Sequence, residues 1–157
     1  MGFETMTTMG QRSRSEWRRD FSGAMNAVSG AVGWVGSIAS DLHLPNGQAY
    51  AMQVCLEELM ANVAMHGRPP AQSAQAEKAD PLKVSVSVNV SSDRITLTVE
   101  DNGRPFDISP ARPHGVEAGL DSIRPGGLGI GVIRSFADNL KYSRTETGNC
   151  VTAEFLR

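Results

Sequence analysis

Three groups of residues in this 157-residue chain have the types and spacing to do chemistry. The first centres on Asp101, which ends an alternating run of Ile95, Leu97 and Val99 and opens an Asp-Asn-Gly turn. Alternation carries Asp101 to the face of those apolar side chains, and a carboxylate turned inward needs donors, because burying it unpaired is costly. A bound purine amino group would be one. An Asp capping its own turn reads equally well from this motif alone. The second group is Glu58, Asn62 and His66, spaced four apart and therefore one stripe of a helix. Apolar neighbours such as Leu59, Met60, Val63 and Met65 turn that stripe toward a cleft. The Asn62 amide oxygen is a hard ligand suited to Mg²⁺ beside phosphate, and Glu58 could take a proton from a hydroxyl or water. In isolation such a stripe is more often simply solvated, and His66 reads first as a helix-end residue against the last carbonyls. The third group is Gly126-Gly127-Leu128-Gly129-Ile130-Gly131. Glycines at a helix entrance let backbone N–H groups approach phosphate. This is no P-loop, since no Gly-Lys-Ser/Thr follows. Nor is it a dinucleotide fingerprint, since no strand precedes it and Val132 stands where Gly or Ala belongs.

The elements that must position these groups follow from periodicity. Residues 1–14 are polar and aperiodic and are expected to be a flexible tail, leaving 15–157 as a single domain. Trp17–Phe21 has the pattern of a short strand. Met25, Val28, Val32, Val35, Ile38 and Leu42 predict a helix over Ser22–Leu42, in which Gly23, Gly30, Gly33 and Gly36 cost stability but leave room for another backbone. Leu44-Pro45-Asn46-Gly47 breaks the chain before a second helix, Gln48–His66, with Met52, Leu56, Leu59 and Val63 as its core stripe. Gly67 stops that helix, and residues 68–81 form a loose loop. Val84, Val86, Val88 and Val90 alternate as one strand, and Ile95, Leu97 and Val99 as its partner. Residues 107–125 are rich in Pro, Gly and Ser and read as a functional lid. A third helix spans Leu128–Ala137, and Tyr142–Arg144 and Val151–Phe155 form a final hairpin turning at Glu146–Asn149. The expected fold is α+β: a two-layer sandwich with helices on one face of a mixed, mostly antiparallel sheet.

Composition removes other classes. A formal net charge of -2 argues against nucleic acid as a partner, and the Arg12, Arg14, Arg18, Arg19 group reads as a solvated tail. No apolar run approaches the ~18 residues of a membrane span, and the N-terminus lacks the apolar core of a signal peptide. Cys55 and Cys150 read as reduced core thiols. A cytoplasmic protein is expected.

Together and in order, the three groups resemble a known set of boxes. Glu58, Asn62, His66 and Gly67, then Asp101, Gly103, Pro105 and Phe106, then Gly126–Ile133 are similar to the N, G1 and G2 boxes of the GHKL ATPases. That superfamily includes gyrase and the histidine kinases. The closer resemblance is to the small anti-sigma-factor serine/threonine kinases, carried by LEELMANVAMHG, by the Pro-Phe after the acidic turn and by RPGGLGIGVIRSFADNLKY. It covers about residues 22–156.

The resemblance implies a Bergerat ATP-binding fold using ATP and Mg²⁺. It makes Asp101 the reader of the adenine amino group, with Gly103 giving the backbone room to approach. Asn62 becomes the Mg²⁺ ligand and Glu58 the general base, with His66, Pro105 and Phe106 completing the nucleotide-binding boxes. Gly126, Gly127, Leu128, Gly129, Ile130 and Gly131 become phosphate-contacting backbone and lid hinge. Asn149 stands where many relatives carry a Thr that helps to bind adenine, a departure from the pattern. The implied partners are a STAS-domain antagonist, which the kinase phosphorylates, a sigma factor, and a second copy of the chain in a homodimer. Two alternatives remain: a nucleotide-dependent binding protein with little kinase activity, and a detached histidine-kinase-like ATPase domain. The second lacks a preceding helix pair bearing a phosphoacceptor His.

Overall fold

The computed structural model describes residues 15–68, 79–106, 108 and 127–157. The expected tail at 1–14, most of the 68–81 loop and nearly all of the lid at 107–125 lie outside them, as does Gly126. The elements run β1 (Ser15–Ser22), a 3₁₀ turn (Met25–Ala27), α1 (Val28–Asp41), α2 (Asn46–His66), β2 (Lys83–Val90), β3 (Arg94–Asp101), α3 (Gly127–Phe136), β4 (Asn139–Arg144) and β5 (Asn149–Leu156). The five strands form one sheet in the order β1-β2-β3-β5-β4, and each of these pairings is antiparallel. The described pairings are thus wholly antiparallel, where a mixed sheet was allowed for.

Strict alternation decides which face of the sheet is covered. Val84, Val86, Val88 and Val90 of β2, Ile95, Leu97 and Val99 of β3, and Val151, Ala153 and Phe155 of β5 are all buried. They form one core with Met52, Cys55, Leu56, Leu59 and Val63 of α2. Burying an aliphatic side chain contributes about 1.5–3 kcal/mol. A one-residue slip in register would turn each strand's apolar set to water, so this pattern specifies the pairing.

Register then builds the end of the sheet that matters. Phe21, Val84, Asp101, Asn149 and Arg144 are successive partners across all five strands. The parity expected for Asp101 is what the structure has: it is 8% exposed, on the core side.

Four expectations are corrected. The first helix is shorter than Ser22–Leu42, because β1 continues through Ser22 and a 3₁₀ turn precedes α1; Met25 is exposed rather than core. Of the four glycines in that span, Gly23 comes against Leu82, side chain and backbone, and Gly36 meets the Gln53 side chain, while Gly30 and Gly33 face open space. The last hairpin turns at Thr145–Gly148, where the Thr145 N–H donates to the Gly148 carbonyl, so Asn149 belongs to β5. Cys150 is a half-buried residue on the helix-free face and not a core thiol, since it alternates with the inward-facing Asn149 and Val151.

Cys55 is the core thiol. Burial, and secondarily the charge of Glu58, push it up from 9.0 to about 12. Its folded value lies above the unfolded one, so the stability it contributes is complete below about pH 9 and lost as pH rises toward 12. Iodoacetamide at pH 8 should therefore label Cys150 but spare Cys55 until urea unfolds the chain, as peptide mass mapping would show.

Candidate functional site

Asp101 closes β3, and its carboxylate is held by two donors on a single oxygen. The Gly103 N–H reaches Oδ1 at 2.7 Å and the Asn149 Nδ2 reaches the same atom at 2.9 Å. Among the described residues no hydrogen bond ends on Oδ2. Burial raises the carboxyl above its ordinary range, opposed by the Asn149 and Gly103 hydrogen bonds and by the charge of Arg144. The turn that follows is tied to α2: the Arg104 N–H donates to the Gly67 carbonyl at 2.9 Å. A Cβ on Gly103 would stand 2.9 Å from the Gly67 Cα, so the acidic turn approaches the end of α2 this closely because position 103 is glycine. Phe106 is half-buried and packs on Tyr142, with ring centroids 5.3 Å apart. Pro105 is exposed.

Asn149 is 1% exposed, and its amide is fully used. Nδ2 donates to Asp101 Oδ1 and, at 2.8 Å, to the Arg104 carbonyl. Oδ1 accepts from the Tyr142 hydroxyl at 2.8 Å and from Arg144 at 3.0 Å. A guanidinium only donates and a carbonyl only accepts, so the orientation of this amide is set by its surroundings. Two donations and two acceptances exhaust it, and it keeps no position for a ligand of its own.

Glu58 and Asn62 lie one turn apart on α2, where α3 begins. Asn62 is 6% exposed among Leu59, Met60 and Val63, and its Nδ2 has no hydrogen-bond partner among the described residues. An orphaned buried amide costs roughly 1–3 kcal/mol, and here it marks a place where an outside group fits. Amide O and N exchange by a half-turn, so the open corner can offer either to a ligand. A Cβ on Gly129 would stand 2.5 Å from Glu58 Oε2 and 3.7 Å from Asn62 Nδ2. The first turn of α3, with its unpaired N–H groups, therefore lies directly over these two side chains. Ile130 puts its side chain into the core at 6% exposure, leaving its backbone as the part that could meet an anion. Gly127 opens α3 and Gly131 is exposed; Leu128 lies in the same first turn. His66 is the exposed last residue of α2, so the Glu58-Asn62-His66 stripe runs from the α2–α3 contact out to solvent.

Sequence reasoning missed three residues of this region. Tyr142 and Arg144 needed the β4–β5 register before their link to Asn149 could be seen. Gly148 is the third: a Cβ there would collide with the Asp101 carbonyl, and its next neighbour is the Asn102 Cα. Those are backbone atoms that cannot swing aside, so Gly148→Ala is expected to cost about 1–3 kcal/mol in urea unfolding. Gly129→Ala should cost less, because the atom it meets is the mobile end of Glu58.

A groove of about 440 Å³ opens on the helix-free face beside Arg18, Ser85, Glu100 and Thr147 and reaches the same strand ends. The Asp101 carboxylate turns to the opposite face, so the groove is not assigned to its ligand. Among the described residues no three His, Cys, Asp or Glu side chains gather into a metal site, and no helix is long and apolar enough to cross a membrane.

Residues 21–155 match the model of the histidine kinase-like ATPase domain. A serine/threonine-protein kinase of Bordetella bronchiseptica, BtrW, is 23% identical over 133 residues, 85% of this chain and 88% of that one. The fold is shared with part of the crystal structure of the RsbU and RsbW domains of Rv1364c from Mycobacterium tuberculosis, at a TM-score of 0.57 and 10% identity. That alignment takes in 88% of this chain but only 32% of the longer one. A histidine kinase domain from Erythrobacter litoralis, that of the blue-light activated kinase EL346, aligns over 82% of this chain and 60% of its own, with a TM-score of 0.50 and 17% identity.

Proposed function

The chain belongs to the histidine kinase-like ATPase domain family, and from that membership we propose that it is an ATP-dependent serine/threonine protein kinase of the anti-sigma-factor type. Its substrate in this reading is a STAS-domain antagonist, and its regulatory target a sigma factor. The protein works as a homodimer in the cytoplasm. The observation that carries the proposal is the buried Asp101 carboxylate, whose Oδ1 is closed by two donors while no hydrogen bond among the described residues ends on Oδ2. An adenine amino group is a donor of the right kind for that atom.

The residues suit a nucleotide and a metal on the same terms. Asn62, whose buried Nδ2 has no partner among the described residues, would turn its amide oxygen to Mg²⁺ together with phosphate oxygens and water, the usual company of this ion. Mg²⁺, when bound, neutralises charge that builds on the transferring phosphoryl group. The first turn of α3 supplies N–H groups to phosphate, as helix N-termini do, with Gly127, Leu128, Gly129, Ile130 and Gly131 as its backbone. His66, at the end of α2, stands at the margin of this site. Glu58 orients the acceptor hydroxyl and takes its proton. Phosphoryl transfer asks the protein mainly for such positioning and charge compensation.

The test is incubation with labelled Mg·ATP and a panel of STAS-domain proteins. Phosphate on a serine or threonine of a cognate partner supports the kinase. Tight binding of ATP and partner without any transfer would replace it with a nucleotide-switched binder.

A further inference from the structure

We propose that Tyr142 and Arg144 are positioning residues which, acting through Asn149, keep Asp101 with Oδ1 closed and Oδ2 open and so set the preference for adenine over guanine. The inference rests on the adenine reading of Asp101 above and goes beyond it to two residues of β4 that lie outside the three boxes.

The argument begins with direction. An ionised carboxylate offers only acceptors, whereas a protonated one carries an O–H donor. Adenine presents an amino donor at position 6 and guanine a carbonyl acceptor. An ionised Asp101 therefore accepts from adenine and repels guanine, while a protonated Asp101 can donate to guanine. Discrimination depends on holding the group ionised in a site whose burial works against that.

The clamp opposes burial in two ways. Arg144 donates to Asn149 Oδ1 at 3.0 Å and to the Gly103 carbonyl at 2.7 Å, so one guanidinium grips both Asp101 partners. Tyr142 donates to the same Asn149 oxygen at 2.8 Å and braces Phe106 with its ring. With its oxygen held by donors only, Asn149 must turn Nδ2 toward Asp101. Arg144 is also the cation that faces the carboxylate from β4. The other charged groups nearby point elsewhere. Lys83 of β2 and Glu100 of β3 alternate with the inward-facing Val84 and Asp101, and so lie on the helix-free side. Arg104 in the turn and His66 at the end of α2 are exposed, and Glu58 lies under Gly129. The part of β5 paired with Asp101 brings no charge beyond the neutral Asn149.

The experiment measures Mg·ATP and Mg·GTP affinity by calorimetry from pH 5 to 8, with thermal unfolding in parallel. The proteins are the full chain as wild type, Arg144→Met, Arg144→Lys and Tyr142→Phe. The nucleotides' own titration is common to all four and cancels on comparison. Arg144→Met is expected to move the pH at which ATP affinity is half lost upward by roughly 0.5–1 unit, and to lower the ATP-to-GTP preference about 3–10-fold. Arg144→Lys should restore most of both, and Tyr142→Phe should lower the preference with a smaller pH shift. If Arg144→Met is unfolded, the Lys and Phe variants carry the comparison. Folded variants with the wild-type midpoint and preference would overturn the proposal. Wild-type protein that binds neither nucleotide would overturn the reading of Asp101 itself, and this inference with it.

Discussion

Glu58→Gln is expected to slow phosphate transfer to a cognate STAS protein by ~10²–10⁴-fold, the usual effect of removing a general base, while ATP still binds. Gln keeps the length and shape of the side chain that lies beneath Gly129, so α3 should keep its seat on α2. What disappears is the ability to take the proton of the acceptor hydroxyl. Asn62→Ala provides the contrast. It removes the buried amide proposed as the metal ligand, so Mg-dependent ATP binding and transfer should weaken together. Calorimetry with and without Mg²⁺, paired with single-turnover transfer, separates the two patterns. Transfer at the wild-type rate in Glu58→Gln would remove Glu58 from the chemistry.

Asp101→Asn should lower ATP affinity on the order of 100-fold, through loss of a charge-assisted hydrogen bond worth ~1.5–3 kcal/mol and its replacement by repulsion. The reason lies in the two donors on Oδ1. The Gly103 N–H and Asn149 Nδ2 both demand an acceptor at that position, so an Asn must place its oxygen there. Its NH₂ then stands where Asp101 has Oδ2, donor against the donor of adenine. GTP, with an acceptor at that position, should become the better ligand of the two.

The fold should tolerate this change. Burial raises the Asp101 carboxyl, so its contribution to stability is complete only below its unfolded pKa and lost as pH rises through the folded one. At neutral pH the neutral amide is the easier group to bury, and the melting temperature should hold or rise. Calorimetry and thermal unfolding at pH 7 check both halves. Undiminished ATP binding would defeat the adenine assignment.

By itself the sequence determined most of the elements and their apolar faces. Period-2 runs in β2, β3 and β5 and the apolar stripe of α2 are local patterns, and hydrophobic burial acts on them directly; the inward turn of Asp101 follows from the same parity. The stripe of Glu58, Asn62 and His66 was also legible, because helical spacing is local. Its fate was not: Asn62 is buried, Glu58 lies under α3 and His66 is in solvent, since the packing of α3 decides how much of the stripe is covered. Ser22–Leu42 was misjudged because Met25 continues the helical spacing, while pairing with β2 holds Phe21 and Ser22 as strand. Cys150 looked like core from its neighbours, and one position of parity in β5 puts it on the other face. Only the tertiary structure could bring Asn149, Tyr142, Arg144 and Gly148 to Asp101, because those contacts join strands more than forty residues apart. Strand pairing is non-local: each strand records which of its faces is apolar, but the register between strands is a property of the assembled sheet.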